Sequence, residues 1–148
     1  MLINGPTNNG SGAVDYDGTF AMTGGFLVAV GSSGMAQAPT SASSTQYSVL
    51  NNYSSSQSAE TMIHIADQNG TGILTFVPTK TYQSLLFSSP DLAYGSSYTI
   101  YAGGASTGTE TDGLYTGGTY TPGTQVTTFT ISSMVTTIGG GGGPPPRP

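Results

Sequence analysis

The sequence predicts an all-β fold, in which the last rungs of a parallel β-solenoid lead into a small antiparallel β-sandwich or open barrel. Short segments of alternating apolar and polar residues are separated by Gly, Asn, Asp and Pro turns about every 8–12 residues. No stretch shows the period of an amphipathic helix. The chain has 148 residues, of which 35% are hydrophobic and 9% aromatic, enough to bury one β core.

The first predicted unit, residues 1–35, has the pattern of solenoid rungs. The segment Leu2-Ile3-Asn4-Gly5 is echoed 26 positions later by Val28-Ala29-Val30-Gly31. Two further strand candidates bounded by glycines lie between these segments. Three short strands joined by Gly, Asn and Asp corners are typical of one β-helix rung, and we expect the unit to need stacking partners to complete a core.

The second predicted unit, residues 36–138, is antiparallel. A polar crossover with one strand candidate is followed by a hairpin around Asn69-Gly70, because Asn-Gly between alternating runs is a strong hairpin signal. A long loop is expected from 103 to about 123, and one long or two kinked strands from 125 to 138. The other strand candidates are 46–51, 61–66, 72–77, 84–88 and 97–101.

The third predicted unit, residues 139–148, is an extended tail. Five glycines form a flexible joint, and Pro144, Pro145 and Pro146 favour polyproline II. Such a tail is either a plain linker or terminus, or a segment that a partner surface, for example a neighbouring copy, holds in place.

The charge balance excludes several classes of partner. Lys80 and Arg147 are the only basic side chains, and the net charge is −5. Nucleic-acid binding is not expected, because phosphate neutralisation needs several cations together. No apolar run approaches the roughly 18 residues of a membrane span. The absence of cysteine excludes thiol chemistry and fits a secreted or surface protein, most simply a bacterial one. A surface solvated by hydroxyls and amides favours contact with sugar polymers or with copies of itself.

Several longer motifs are similar to those of one family. They resemble the C-terminal part of secreted bacterial carbohydrate-binding-domain proteins built on a right-handed parallel β-helix, and the resemblance covers most of residues 1–138. It implies an association with calcium and with acidic plant polysaccharide such as polygalacturonate. The motifs are residues 2–10, Asp15-Tyr16-Asp17-Gly18, residues 31–39, residues 108–115 and Gly117-Gly118.

Two carboxylate pairs are candidate calcium ligands. Asp15 and Asp17 flank one residue, so in a strand both would point to the same face. Glu110 and Asp112 lie in a Thr- and Gly-rich loop and could hold a second calcium or contact a sugar. Ca²⁺ requires six to eight oxygen ligands. The alternatives are a solvated rung corner for the first pair and an ordinary glycine-rich loop for the second.

Four tyrosines are candidate sugar-binding residues: Tyr98, Tyr101, Tyr115 and Tyr120. Aromatic faces suit pyranose rings, although tyrosines in alternating strands are also common as half-buried structural residues. His64, the single histidine, has no accompanying triad pattern, and no carboxylate pair lies in a recognisable catalytic context. We therefore do not expect an enzyme.

Two functions follow from these patterns. The first is a non-catalytic extracellular structural protein that self-associates into a filament or surface assembly, because an open solenoid end is a template for another copy. The alternative is a secreted module that binds acidic polysaccharide with the help of Ca²⁺. The predicted assembly residues are Leu2, Ile3, Val14, Phe20, Met22, Pro144, Pro145 and Pro146.

Overall fold

The computed structural model describes residues 2–4, 21–31 and 44–139, and every regular element in these ranges is a β-strand. This confirms the all-β prediction, and the described strands do not close into a barrel. In chain order the strands are β1 (Leu2–Asn4), β2 (Leu27–Gly31), β3 (Ser48–Gln57), β4 (Ile63–Asp67), β5 (Gly72–Phe76), β6 (Tyr82–Ser88), β7 (Ser97–Ala102), β8 (Ala105–Ser106), β9 (Thr109–Thr111), β10 (Leu114–Thr116), β11 (Tyr120–Thr121), β12 (Thr124–Thr130) and β13 (Val135–Ile138).

The strands form two large sheets and one small ribbon. The first sheet has the order β1-β2-β6-β3-β13, with parallel pairing at both outer positions and antiparallel pairing between. The second sheet has the order β12-β7-β4-β5-β10-β9 and is antiparallel throughout. Strands β8 and β11 pair with each other as a separate antiparallel ribbon.

The two large sheets share one apolar core. Val28 and Phe87 of the first sheet belong to the same buried cluster as Ile65, Phe76 and Ile100 of the second. Successive side chains of a strand point to opposite faces, so the alternating pattern places these residues on one inner surface. The two sheets therefore face each other across the core, as in a β-sandwich.

The boundary predicted at residue 35 does not separate two cores. Strand β2 pairs with β6 along its whole length, from Leu27 opposite Ser88 to Gly31 opposite Ser84. Val28 lies in the shared core. The described parts of the two predicted units therefore contribute strands to one sheet.

The repeat near the chain start corresponds to a real parallel pairing. Leu2 pairs with Val28 and Asn4 with Val30, which is the offset between the two similar segments. One parallel strand pair does not establish a solenoid, so the solenoid rungs stay a prediction. Val14 and Phe20 lie outside the described residues, as do the three tail prolines.

Met22, one of the predicted assembly residues, is buried within the chain. Its side chain is 8% exposed and belongs to a second buried cluster, with Leu27, Leu50 and Leu86. Ile3, half-buried, packs against this cluster. Met22, Leu27, Leu50 and Leu86 are therefore buried by contacts within the chain, and Ile3 is buried in part.

Two regions near the end of the described chain differ in detail from their predictions. The loop expected from 103 to about 123 contains four short strands, β8 to β11. The segment from 125 to 138 divides into β12 and β13, which lie in different sheets. Between them Ile131 is fully buried in the core, and this anchors the crossover.

Candidate functional site

The outer face of the second sheet carries a histidine between two polar neighbours. On β4, Ile63 and Ile65 point into the core, so the alternation of the strand directs His64 to the opposite face. His64 lies opposite Thr75 on β5 and opposite Tyr101 on β7. Because directly paired residues share a face, these three side chains form a row across the sheet.

His64 is fixed by contacts on two sides. Its Nδ1 lies 2.7 Å from Thr75 Oγ1, a hydrogen bond in which either group can be the donor. The ring of Tyr120 stacks on the imidazole with a centroid distance of 3.7 Å and an interplanar angle of 10°. Burial lowers the pKa of His64 below its usual 6.5, which favours the neutral ring at pH 7. No residue in the described part of the chain makes a hydrogen bond to Nε2.

Tyr120 is held in position by the ribbon of β8 and β11. Its hydroxyl donates to the carbonyl of Gly103 at 2.6 Å and accepts from the amide of Gly123 at 3.1 Å. Gly104 has a φ of +88°, and a Cβ there would lie 2.6 Å from the Tyr120 hydroxyl oxygen. Burial raises the pKa of Tyr120, so the phenol stays protonated and keeps donating. The glycines thus allow the ribbon to fold closely over the sheet.

Gly72, the first residue of β5, leaves the space that the imidazole occupies. A Cβ at this position would lie 2.7 Å from His64 Cε1, which is closer than real Cβ contacts. The lack of a side chain at Gly72 is therefore a requirement for the stacked arrangement of His64 and Tyr120.

These residues border a cleft of about 730 Å³, which we call the aromatic cleft. Its chemically distinctive lining residues are His64, Thr75, Tyr101, Ser106, Tyr115 and Tyr120. No Asp, Glu, Lys or Arg is among the described residues that line it. Aromatic rings can pack against the C–H faces of a ligand, while hydroxyls and an imidazole nitrogen can hydrogen-bond it. The cleft is thus suited to a neutral ligand rich in hydroxyl groups.

Three of the four predicted sugar-binding tyrosines lie together in this cleft, and the fourth does not. Tyr101, Tyr115 and Tyr120 all line it and are half-buried. Tyr98 is 3% exposed and lies in the core. Its hydroxyl donates to the carbonyl of Asp91 at 3.0 Å and accepts from the amide of Ala93 at 2.8 Å. The ring of Tyr98 is not accessible to a ligand, so Tyr98 is not part of the candidate site.

The second predicted calcium pair lies in a neighbouring cleft of about 480 Å³, which we call the acidic cleft. Glu110 and Asp112 line it together with Glu60 and Asn4. Glu110 Oε2 accepts a hydrogen bond from the amide of Gly113 at 2.6 Å. No group of three or more His, Cys, Asp or Glu side chains in the described ranges has an arrangement that could hold a metal ion.

The calcium sites therefore remain predictions. Asp15 and Asp17 lie outside the described residues.

Sequence reasoning missed two features of the site. The hairpin of β9 and β10 turns at Asp112-Gly113, where both residues have positive φ, 53° and 89°. Asp-Gly between strand residues is a known signal for such a two-residue turn. The second feature is the orientation of His64, because its position between Ile63 and Ile65 indicates that it faces away from the core.

Comparisons of the chain with protein-family models, with curated proteins and with solved structures give no match. The resemblance to carbohydrate-binding-domain proteins therefore remains a prediction. No helix long and apolar enough to cross a membrane occurs in the described ranges. What the chain shows directly is a two-sheet β fold with an uncharged aromatic cleft on one outer face.

Proposed function

We propose that this chain is a non-catalytic carbohydrate-binding module of a secreted or surface protein, and that the aromatic cleft is its binding site. The observation that carries the proposal is the convergence of Tyr101, Tyr115, Tyr120 and His64 around one uncharged cleft. Cross-strand pairing and the ribbon of β8 and β11 bring these residues together from four separate strands.

The chemistry of the cleft matches that of a pyranose. One face of a sugar ring is lined by C–H groups, which pack on aromatic faces, while its edge carries hydroxyl groups. Thr75, Ser106 and the Nε2 atom of His64 offer hydrogen-bonding groups along the cleft. The rings of His64, Tyr101 and Tyr120 contact one another before any ligand arrives, so little of their conformational entropy is lost on binding.

The same contacts favour binding over catalysis. His64 is paired with the hydroxyl of Thr75 and with the ring of Tyr120, and no carboxylate of the described residues orients it as a general base. Glycoside hydrolysis normally requires two carboxyl groups beside the scissile bond. No Asp or Glu is among the described lining residues of the aromatic cleft.

Binding of a neutral sugar at the aromatic cleft needs no metal ion, because neutral groups provide all the contacts proposed here. A calcium-assisted site at Glu110 and Asp112 is a separate proposal, and it predicts that EDTA abolishes retention on polygalacturonate. Retention on a neutral polymer should not change in EDTA.

The experiment that tests the proposal is isothermal titration calorimetry with neutral hexasaccharides of glucose, mannose and galactose, at pH 7 in EDTA. We expect one of these ligands to bind, and Tyr120→Ala and Tyr115→Ala each to weaken binding at least tenfold. Tyr94→Ala is the matched control, because Tyr94 is 69% exposed and is not a lining residue of the cleft. Equal weakening by the Tyr94 variant, or binding by none of these sugars, would contradict the proposal.

Self-association is the second candidate function, and the edge of the second sheet favours it. Strand β12 has seven residues, no charged side chain and no proline, and Val126 is 39% exposed. Among the described strands none pairs with its outer edge. Edge strands are usually protected by lysine, proline or bulges, and β12 has only the irregularity between Gln125 and Thr127. Such an edge can accept a strand from another copy.

A charge placed on this edge tests self-association. We expect the unaltered chain to sediment as oligomers at high concentration and Val126→Lys to sediment as a monomer. Thr23→Lys adds the same charge at an exposed residue that precedes β2 of the first sheet, and it should leave the oligomers intact. A monomer in all three samples would contradict assembly through β12.

A further inference from the structure

We infer that the aromatic cleft discriminates against acidic glycans, and that the discriminating groups are Glu60, Glu110 and Asp112 in the acidic cleft. The inference rests on the proposed function and specifies its ligand class, a neutral rather than a uronic acid polysaccharide. It differs from the expectation of polygalacturonate binding that the family resemblance implies.

The first step is that the clefts share one lining side chain, Tyr115. Tyr115 lines both the aromatic cleft and the acidic cleft. A third cleft of about 560 Å³, which we call the joining cleft, is also lined by Tyr115 and extends from Glu60 to Ser106. Ser106 in turn lines the aromatic cleft. A glycan longer than the aromatic cleft can therefore continue past Tyr115 toward the carboxylates.

The second step is the position of the nearest carboxylate. Glu110 on β9 is the direct cross-strand partner of Tyr115 on β10. Directly opposed residues of an antiparallel pair have Cβ atoms about 4.5–5.5 Å apart and share a face. Glu110 thus lies beside the ring on which we expect a sugar to stack.

The third step concerns the balance of charge along the three clefts. No Lys or Arg is among the described residues that line the three clefts. The whole chain carries a net charge of −5. At physiological ionic strength charges interact over a Debye length of about 8 Å, so the carboxylates affect the sugar units nearest Tyr115. A uronate chain is repelled there, whereas a neutral chain is not.

The test compares a neutral hexasaccharide that binds the chain with the hexamer of galacturonic acid, by calorimetry at pH 7 in EDTA. We expect the galacturonate hexamer to bind at least tenfold more weakly than the neutral one. The variant Glu60→Gln/Glu110→Gln/Asp112→Asn removes the three charges and keeps side-chain oxygens in place. It should strengthen galacturonate binding about three- to tenfold and leave the neutral affinity unchanged. Asp91→Asn, a charge removed outside these clefts, is the control.

The outcomes are distinguishable. A gain for galacturonate alone in the triple variant supports the inference. Tight galacturonate binding in EDTA, or a triple variant with unchanged galacturonate affinity, overturns it and leaves the proposed sugar-binding function intact. Galacturonate binding that appears with added Ca²⁺ and is lost in the triple variant also overturns it, because the carboxylates would then hold the ion. If no saccharide binds, the proposed function itself fails.

Discussion

Replacing Gly72 by alanine tests the geometry of the candidate site. The new Cβ would lie 2.7 Å from His64 Cε1, so the imidazole must move. The ring is held by the hydrogen bond to Thr75 and by the stack with Tyr120, and a movement weakens both. The φ of Gly72 is not in the left-handed region, so alanine causes no backbone strain there.

The cost can be estimated from these two contacts. A hydrogen bond contributes about 1 kcal/mol to folding stability, and an aromatic stack about 0.5–1.5 kcal/mol. Alanine restricts the unfolded chain more than glycine does, which returns about 0.4–1 kcal/mol. We therefore expect a net loss of about 0.5–2 kcal/mol in the free energy of unfolding. The melting temperature should fall by about 2–4 °C per kcal/mol lost.

The assays are urea unfolding and NMR of the single imidazole. In the Gly72→Ala variant the His64 ring resonances should lose the shift caused by the Tyr120 ring current, and saccharide affinity should fall at least tenfold. Gly24→Ala is the control, because a Cβ there would have no neighbour within 4 Å. Unchanged His64 resonances in the Gly72 variant would refute the stacked arrangement.

Three further predictions concern stability. Burial lowers the pKa of His64 in the folded chain, so as the pH falls the unfolded chain protonates His64 at a higher pH than the folded chain does. The free energy of unfolding should thus fall as pH drops below 6.5, by at most about 1.4 kcal/mol per pH unit. Urea unfolding of the His64→Gln variant should not show this pH-dependent loss. Tyr98→Phe should cost about 1–3 kcal/mol by thermal unfolding, since Asp91 and Ala93 lose their partner, while saccharide affinity stays unchanged. Phe87→Ala should cost about 3–5 kcal/mol in urea, and a loss under 1 kcal/mol would contradict its place in the core.

Local signals in the sequence predicted the individual strands well. The alternation around Ile63 and Ile65 and the Asn69-Gly70 turn gave the hairpin of β4 and β5, whose turn the carboxylate of Asp67 also stabilises. The repeat of Leu2-Ile3-Asn4 at Val28 gave the parallel pair of β1 and β2. The hairpin depends on residues that are neighbours in the sequence, and the parallel pair depends on the similarity of two segments. Both kinds of signal are present in a single sequence.

The site was predicted only in part, because its residues meet through pairing between distant strands. Tyr101, Tyr115 and Tyr120 were identified as aromatic residues in polar surroundings, yet Tyr98 has the same local pattern and lies in the core. Its position follows from which face of β7 meets the first sheet. Met22 was predicted as an assembly residue at an open solenoid end, and in the structure it packs against Leu86 within the chain.

By itself, the sequence determined the all-β class, the positions of most strands and the near-absence of charge that limits the possible partners. These properties follow from composition and from short-range alternation. The tertiary structure decided that β12 and β13 join different sheets, and that Tyr120 lies on His64 over the gap left by Gly72. Such contacts depend on sheet order and on the close approach of glycine backbones. The physical reason is that pairing between strands far apart in the chain is selected by the packing of the whole core, which no local pattern encodes.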